Sequence, residues 1–91
     1  MRFKVLRVCQ SKGFSIVPQE VVRYDLDRAA ALLEAKGFES QQMEVMLLLS
    51  KDGVQTTMYV NGRLMLQPIE DKEYARSLAE SFYEMVEAAR T

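Results

Sequence analysis

Residues 56–90, TTMYVNGRLMLQPIEDKEYARSLAESFYEMVEAAR, constrain the chain more than any other stretch. Two short β-forming runs flank Asn61-Gly62, a strong local hairpin signal. Pro68 closes the second run, because proline has no N–H to give to a ladder. Apolar residues then recur at steps of three and four: Tyr74, Ala75, Leu78, Phe82, Met85, Val86 and Ala89. That spacing gives a helix one apolar stripe. A hairpin followed at once by an amphipathic helix lays the helix on one face of the sheet. The other face is then either solvated or used.

The upstream chain supplies the remaining elements. β-formers over residues 3–9 predict a strand, and Ser11-Lys12-Gly13 a turn. Residues 14–24 read as a second strand, with Pro18 at an edge, a bulge or a break. Asp25 caps a helix from Leu26 to about Lys36, with Leu26, Ala29, Ala30 and Leu33 on its apolar side and Gly37 as its stop. Residues 43–49 read as a strand, Lys51-Asp52-Gly53 as a turn, and residues 54–60 and 63–67 as the hairpin. Glu70 or Asp71 caps the last helix, which runs to about Ala89. The order β(β)-α-β-β-β-α predicts one α+β domain over residues 1–91. It consists of a curved antiparallel sheet of about five strands with both helices on one face. Ninety-one residues suffice for one modest core, since such a chain buries roughly 60–65% of its unfolded surface.

The turn decides which side chains share a face. A two-residue loop at Asn61-Gly62 pairs Val60 with Arg63 and mixes polar and apolar residues on both sides. A three-residue loop, Val60-Asn61-Gly62 with Gly62 left-handed in a G1 bulge, pairs Tyr59 with Arg63. Thr57 then meets Met65 and Gln55 meets Gln67 on one face, while Met58 meets Leu64 and Thr56 meets Leu66 on the other. The second register sorts polarity better and is preferred, because burial sets register. In the strand before it, Met43, Val45, Leu47 and Leu49 form an apolar set suited to lie under the helices. The expected open face displays Gln42, Glu44, Met46, Leu48, Gln55, Thr57, Tyr59, Arg63, Met65 and Gln67. It is too polar for a core, and with Met46, Leu48, Tyr59 and Met65 too apolar for a free surface.

Chemistry is narrowed by what the chain lacks. There is no histidine and one cysteine, Cys9. Cys/His zinc sites, histidine acid–base catalysis and Ser-His-Asp or Cys-His nucleophiles are therefore excluded within one chain. No complete catalytic constellation is present, and the reading assigns no enzyme activity, no cofactor and no metal. Asp25 and Asp27, and likewise Glu70, Asp71 and Glu73, are better read as helix-start acids than as catalytic pairs. Cys9 reads as a packed strand residue, and an internal disulfide is impossible, which fits a reducing compartment. No apolar run has signal-peptide or membrane-span length, so the expectation is a soluble cytoplasmic protein without a membrane partner.

Net charge is −1, against bulk attraction to nucleic acid or anionic lipid. Its distribution is uneven. Residues 1–23 hold five bases against one acid, and residues 24–91 hold seven against twelve. The bases Arg2, Lys4, Arg7 and Lys12 read most plainly as charges that protect an edge strand from aggregation. A basic docking patch is the sharper reading. Tyr59 and Arg63 suit a stacking and phosphate-binding pair, and more plainly a cross-strand cation–π pair.

The segment YDLDRAAALLEAKGF…MEVMLLLSKDGVQTTMYVNGRLMLQPIEDKEYARSLAESFYEMVE resembles one half-repeat of the TATA-box-binding-protein family, over roughly residues 20–88. The resemblance lies in Thr56-Thr57-Met58-Tyr59, Asn61-Gly62-Arg63 and Glu73-Tyr74-Ala75-Arg76-Ser77-Leu78-Ala79, with matching spacing. It implies half of a saddle, so two copies would complete one. It also implies a sheet face that meets a DNA minor groove. Gln42 and Tyr59 occupy the positions of one phenylalanine wedge pair, and Arg63 is the clearest basic carry-over.

From these observations the chain reads as a non-enzymatic interaction module. It works through the open sheet face, as a C2 homodimer or with another protein. The alternative is a nucleic-acid-binding protein using the same face.

Overall fold

The computed structural model describes residues 1–8 and 12–91. Its strands are β1 (Phe3–Arg7), β2 (Phe14–Pro18), β3 (Glu39–Gln42), β4 (Met46–Lys51), β5 (Val54–Tyr59) and β6 (Leu64–Gln67). Helix α1 (Leu26–Glu34) lies between β2 and β3. Helix α2 (Lys72–Met85) follows β6 and passes into a 3-10 turn, Glu87–Ala89. The strands form one sheet in the order β1-β2-β6-β5-β4-β3, every pairing antiparallel. The architecture is thus α+β, with six strands where about five were expected.

Alternation along the strands builds the core. Val5, Phe14, Ile16, Leu47, Leu49, Met58, Leu64 and Leu66 are buried on one side of the sheet. Leu26, Ala29 and Leu33 of α1 and Ala75, Ala79, Phe82 and Tyr83 of α2 join them in one cluster. Both helices therefore cover the same face. Phe38 and Phe82 meet edge to face, with ring centroids 6.0 Å apart. That geometry suits the aromatic quadrupoles.

Local chemistry explains the element ends. The Asp25 carboxylate accepts the Arg28 N–H at 3.2 Å, and the Asp71 carboxylate accepts the Glu73 N–H at 3.1 Å. Each satisfies one of the donors a helix start leaves free. Gly37 takes φ +96° just beyond α1, as a left-handed stop requires. The β2 strand ends at Pro18 instead of running to Tyr24, and the Gln67–Pro68 peptide that ends β6 is cis. Tyr24 forms an isolated bridge to Arg90, and its N–H bonds the Val60 carbonyl at 2.9 Å. The expected β1 extension to Cys9 and the Ser11 position of the first turn lie outside the described residues.

Two assignments of buried residues are corrected. Met43 and Val45 are 46% and 60% exposed, not under the helices. The apolar run there is a hairpin turn followed by β4: the Met43 N–H bonds the Met46 carbonyl at 2.9 Å, leaving Glu44-Val45 as the loop. On α2, Tyr74 is 49% exposed, whereas Ala79 and Tyr83 are buried. Tyr74 stands one residue off the buried line of Ala75, Ala79, Phe82 and Tyr83, at the edge of the stripe.

Tyr83 ties α2 to the hairpin. Its hydroxyl donates to the Gly62 carbonyl at 2.6 Å. Burial pushes the Tyr83 and Tyr24 hydroxyls above the usual phenol range. The unfolded chain ionises these groups first, from about pH 10. Their contribution to stability is therefore intact below that pH and lost as pH rises above it. Urea midpoints are expected to be level between pH 7 and 9 and to fall by pH 11, with Tyr83→Phe showing a shallower decline. A midpoint unchanged at pH 11 would contradict the burial of both phenols.

Candidate interaction face

The side of the sheet away from the helices is organised in rows across the strands. The hairpin between β5 and β6 sets the first. Gly62 has φ +87°, its N–H bonds the Tyr59 carbonyl at 2.9 Å, and the Asn61 side chain accepts the Arg63 N–H at 3.0 Å. The Tyr59 N–H bonds the Arg63 carbonyl at 2.9 Å, and Thr57 pairs with Met65 and Gln55 with Gln67. This is the three-residue-loop register that polarity sorting favoured.

Pairing across the sheet places Met46 opposite Tyr59, and Tyr59 beside Arg63. The β2–β6 register, continued by one residue, brings Val17 level with Arg63, and Val17 pairs with Lys4. The first row is thus Lys4, Val17, Arg63, Tyr59, Met46 and, through the hairpin pairing that sets it opposite Met46, Met43. The second is Leu6, Ser15, Met65, Thr57, Leu48, Gln41. The third is Gln67, Gln55, Ser50, Glu39. Apolar side chains concentrate in the first two rows, and the third is polar. Met46, Leu48, Tyr59 and Met65 are half-buried with no helix above them, and Leu6 is 48% exposed.

Seven of the ten expected face residues stand in these rows on β4, β5 and β6, and Arg63 adjoins β6 in the first. Gln42 does not join them. It pairs with Leu47 and so lies on the helix-side face, at its rim. Glu44 sits in the exposed turn instead of on a strand. Both shifts share one cause. Treating the strand and its approach as continuous gave all even positions one face, but the Glu44-Val45 reversal starts a new strand with its own parity. Glu39, Gln41 and Met43 take the open-face positions instead. Lys4, Leu6, Ser15 and Val17 also belong to this face, though the sequence reading assigned none of them to it. The alternation of Phe3 and Val5 with Lys4 and Leu6 was the available signal.

Arg63 has a specific partner. Its Nε donates to Ser15 Oγ at 3.2 Å, which draws the guanidinium toward β2 and over a serine that is itself buried. Cation–π contacts occur elsewhere, Arg7 over Phe14 at 4.8 Å and Lys51 over Phe38 at 5.2 Å. A hollow of about 430 Å³ opens among Tyr59, Asn61, Arg63, Leu64 and Met65.

A larger cleft, about 820 Å³, lies on the other side, where the N-terminal segment meets α2. Arg2, Arg76 and Arg90 line it together with Glu80, Glu84 and Glu87, so it offers no single sign of charge. Arg90 is already paired with Glu20 and Glu87. Among the described residues no group of three or more Cys, Asp or Glu is placed to hold a metal. No helix among them is long and apolar enough to cross a membrane.

Comparison with protein-family models, with curated proteins and with solved structures returned no match. The chemistry of the open face therefore stands on its own geometry.

Proposed function

We propose that this chain is a non-enzymatic interaction module whose open sheet face associates with a second copy of itself. One observation carries the reading: Met46, Tyr59, Leu48 and Met65 form a contiguous half-buried apolar patch on a sheet face that neither helix covers. Apolar area left in water costs free energy in proportion to its extent, and covering it drives association. A patch inside a rim of Lys4, Glu39, Gln55 and Gln67 matches the apolar-centre, polar-edge plan of protein interfaces. The edge strands suit pairing less well. β1 carries Lys4 and Arg7, and β3 is short and polar, so both discourage strand addition.

Sedimentation equilibrium tests this reading. The unmodified chain is expected to dimerise in the micromolar range. Met46→Glu and Tyr59→Glu, each placing a charge in the patch centre, are expected to weaken it by roughly tenfold or more. Association unchanged in both variants would remove the face from consideration.

A second reading, nucleic-acid binding, draws support from the first row, where Lys4 and Arg63 share a line with the aromatic Tyr59. The resemblance to half of a TATA-box-binding protein favours the same surface. The acid Glu39 on this face and the net charge of −1 weigh against it. A salt-sensitive mobility shift with duplex or single-stranded oligonucleotides would favour it, and no shift at low salt would remove it.

A further inference from the structure

The open face is rich in methionine. Met43 and Met46 stand opposite each other across the β3–β4 hairpin, Met46 stands opposite Tyr59, and Met65 lies in the next row opposite Thr57. Met43 is 46% exposed, and Met46 and Met65 are half-buried with no helix above them. Met58, on the other face of β5, is fully buried in the core. Leucine would cover the open face with nearly the same volume. What methionine adds is a soft, flexible thioether that a peroxide can oxidise.

With hydrogen peroxide as oxidant the reaction balances. The sulfur lone pair attacks one peroxide oxygen, and a sulfur–oxygen bond forms as the oxygen–oxygen bond breaks. The proton on the transferred oxygen passes to the departing hydroxide, which leaves as water. Sulfur is oxidised to the sulfoxide and the peroxide oxygen is reduced. The product is polar where the thioether was apolar. Covered by a second copy, a sulfoxide in the patch centre loses its water, and an apolar partner side chain returns no hydrogen bond. Access follows the fold: water carries peroxide to the face methionines of a free copy, whereas the core closes over Met58.

We infer that Met43, Met46 and Met65 are sites of reversible oxidation to the sulfoxide, and that their oxidation releases the open-face dimer. This rests on the open-face reading above and names how that contact is regulated. The side chains that supply the apolar contact are the ones that peroxide makes polar. Sulfoxide reductases, one for each sulfoxide epimer, restore the thioether and with it the contact.

Peroxide treatment at concentrations below dimerisation, followed by peptide mass mapping, tests the sites. Met43, Met46 and Met65 are each expected to gain one oxygen at least about fivefold faster than Met58. Sedimentation equilibrium tests the consequence. The oxidised chain is expected to dimerise about tenfold more weakly with unchanged circular dichroism, and to regain its affinity after treatment with both sulfoxide reductases. A chain carrying Met43→Leu, Met46→Leu and Met65→Leu keeps the volume, and is expected to hold its affinity within about threefold before and after peroxide. It retains Met1 and Met85, which lie beside and on α2, as controls for oxidation elsewhere. The inference is overturned if Met58 oxidises as fast as Met46 in the folded chain, if the oxidised chain associates like its parent, or if the leucine variant loses affinity to peroxide as its parent does. If Met46→Glu still dissociates the dimer in that case, the open-face reading survives. If Met46→Glu leaves association unchanged, both fall together.

Discussion

Gly62→Ala is expected to destabilise the fold by about 3 kcal/mol, combining a left-handed backbone penalty with overpacking. Gly62 is buried at φ +87°, and the hairpin register depends on that conformation. A methyl group there would sit 2.9 Å from Val22 Cγ2, 3.0 Å from Tyr24 Cε2 and 3.2 Å from Pro18 Cγ. All three neighbours belong to the segment that follows β1 and leads into α1, so relief requires moving the chain that covers the hairpin. Its carbonyl also accepts the Tyr83 hydroxyl, so a shift would disturb the anchor of α2. Gly53 is the control. It has φ +80° in the β4–β5 turn, but a Cβ there meets nothing within 4 Å. Gly53→Ala is expected to cost only the backbone part, about 1 kcal/mol. Urea denaturation of the two variants separates the terms. Equal costs at both positions would mean that the close packing around Gly62 contributes nothing.

Leu47→Ala is expected to cost about 3 kcal/mol, while Met46→Ala, one residue away, is expected to cost less than about 1 kcal/mol at concentrations below dimerisation. Leu47 is fully buried under the helices, whereas Met46 faces away from them. A strand turns successive side chains to opposite faces, so neighbouring positions report on different environments. Truncating Leu47 opens a cavity in the core cluster, but truncating Met46 removes only partly covered surface. At concentrations where the dimer forms, the order is expected to change in one respect. Met46→Ala should weaken association, and Leu47→Ala should act through folding alone. Thermal or urea unfolding at two protein concentrations reads both effects. Comparable losses from the two substitutions at low concentration would mean that the sheet is covered on both faces.

The β5–β6 hairpin was legible because Gly62 and the polarity of its flanks agree on one register. The two helix starts were legible because Asp25 and Asp71 are placed to cap them. The β3–β4 hairpin was not. Its turn contains no Gly, Pro or Asn, and it exposes Met43 and Val45 where apolar residues normally signal burial. Glu39–Gln42 lacks β-branched residues altogether, and β4 recruits it by backbone pairing at the sheet edge. That hairpin moved Gln42 and Glu44 off the strands of the open face and put Glu39, Gln41 and Met43 on it. The contribution of β1 and β2 to the face was hidden for a different reason. Which of Lys4, Leu6, Ser15 and Val17 face outward depends on a partner strand, β6, that lies about fifty residues further along the chain. Local alternation defines two sets of side chains but not which set meets the helices. Tyr83 was missed because Tyr74 and Leu78 define a plausible stripe alone, and only the hairpin carbonyl beside it explains a buried phenol.

Sedimentation equilibrium of the unmodified chain beside Met46→Glu, from low to high micromolar concentration, bears most directly on the open face. The expected result is a reversible dimer for the unmodified chain and a monomer for the variant, with both equally folded by circular dichroism. An unmodified chain that stays monomeric at high micromolar concentration, or a variant that dimerises as well as its parent, would contradict an associating face built around Met46 and Tyr59.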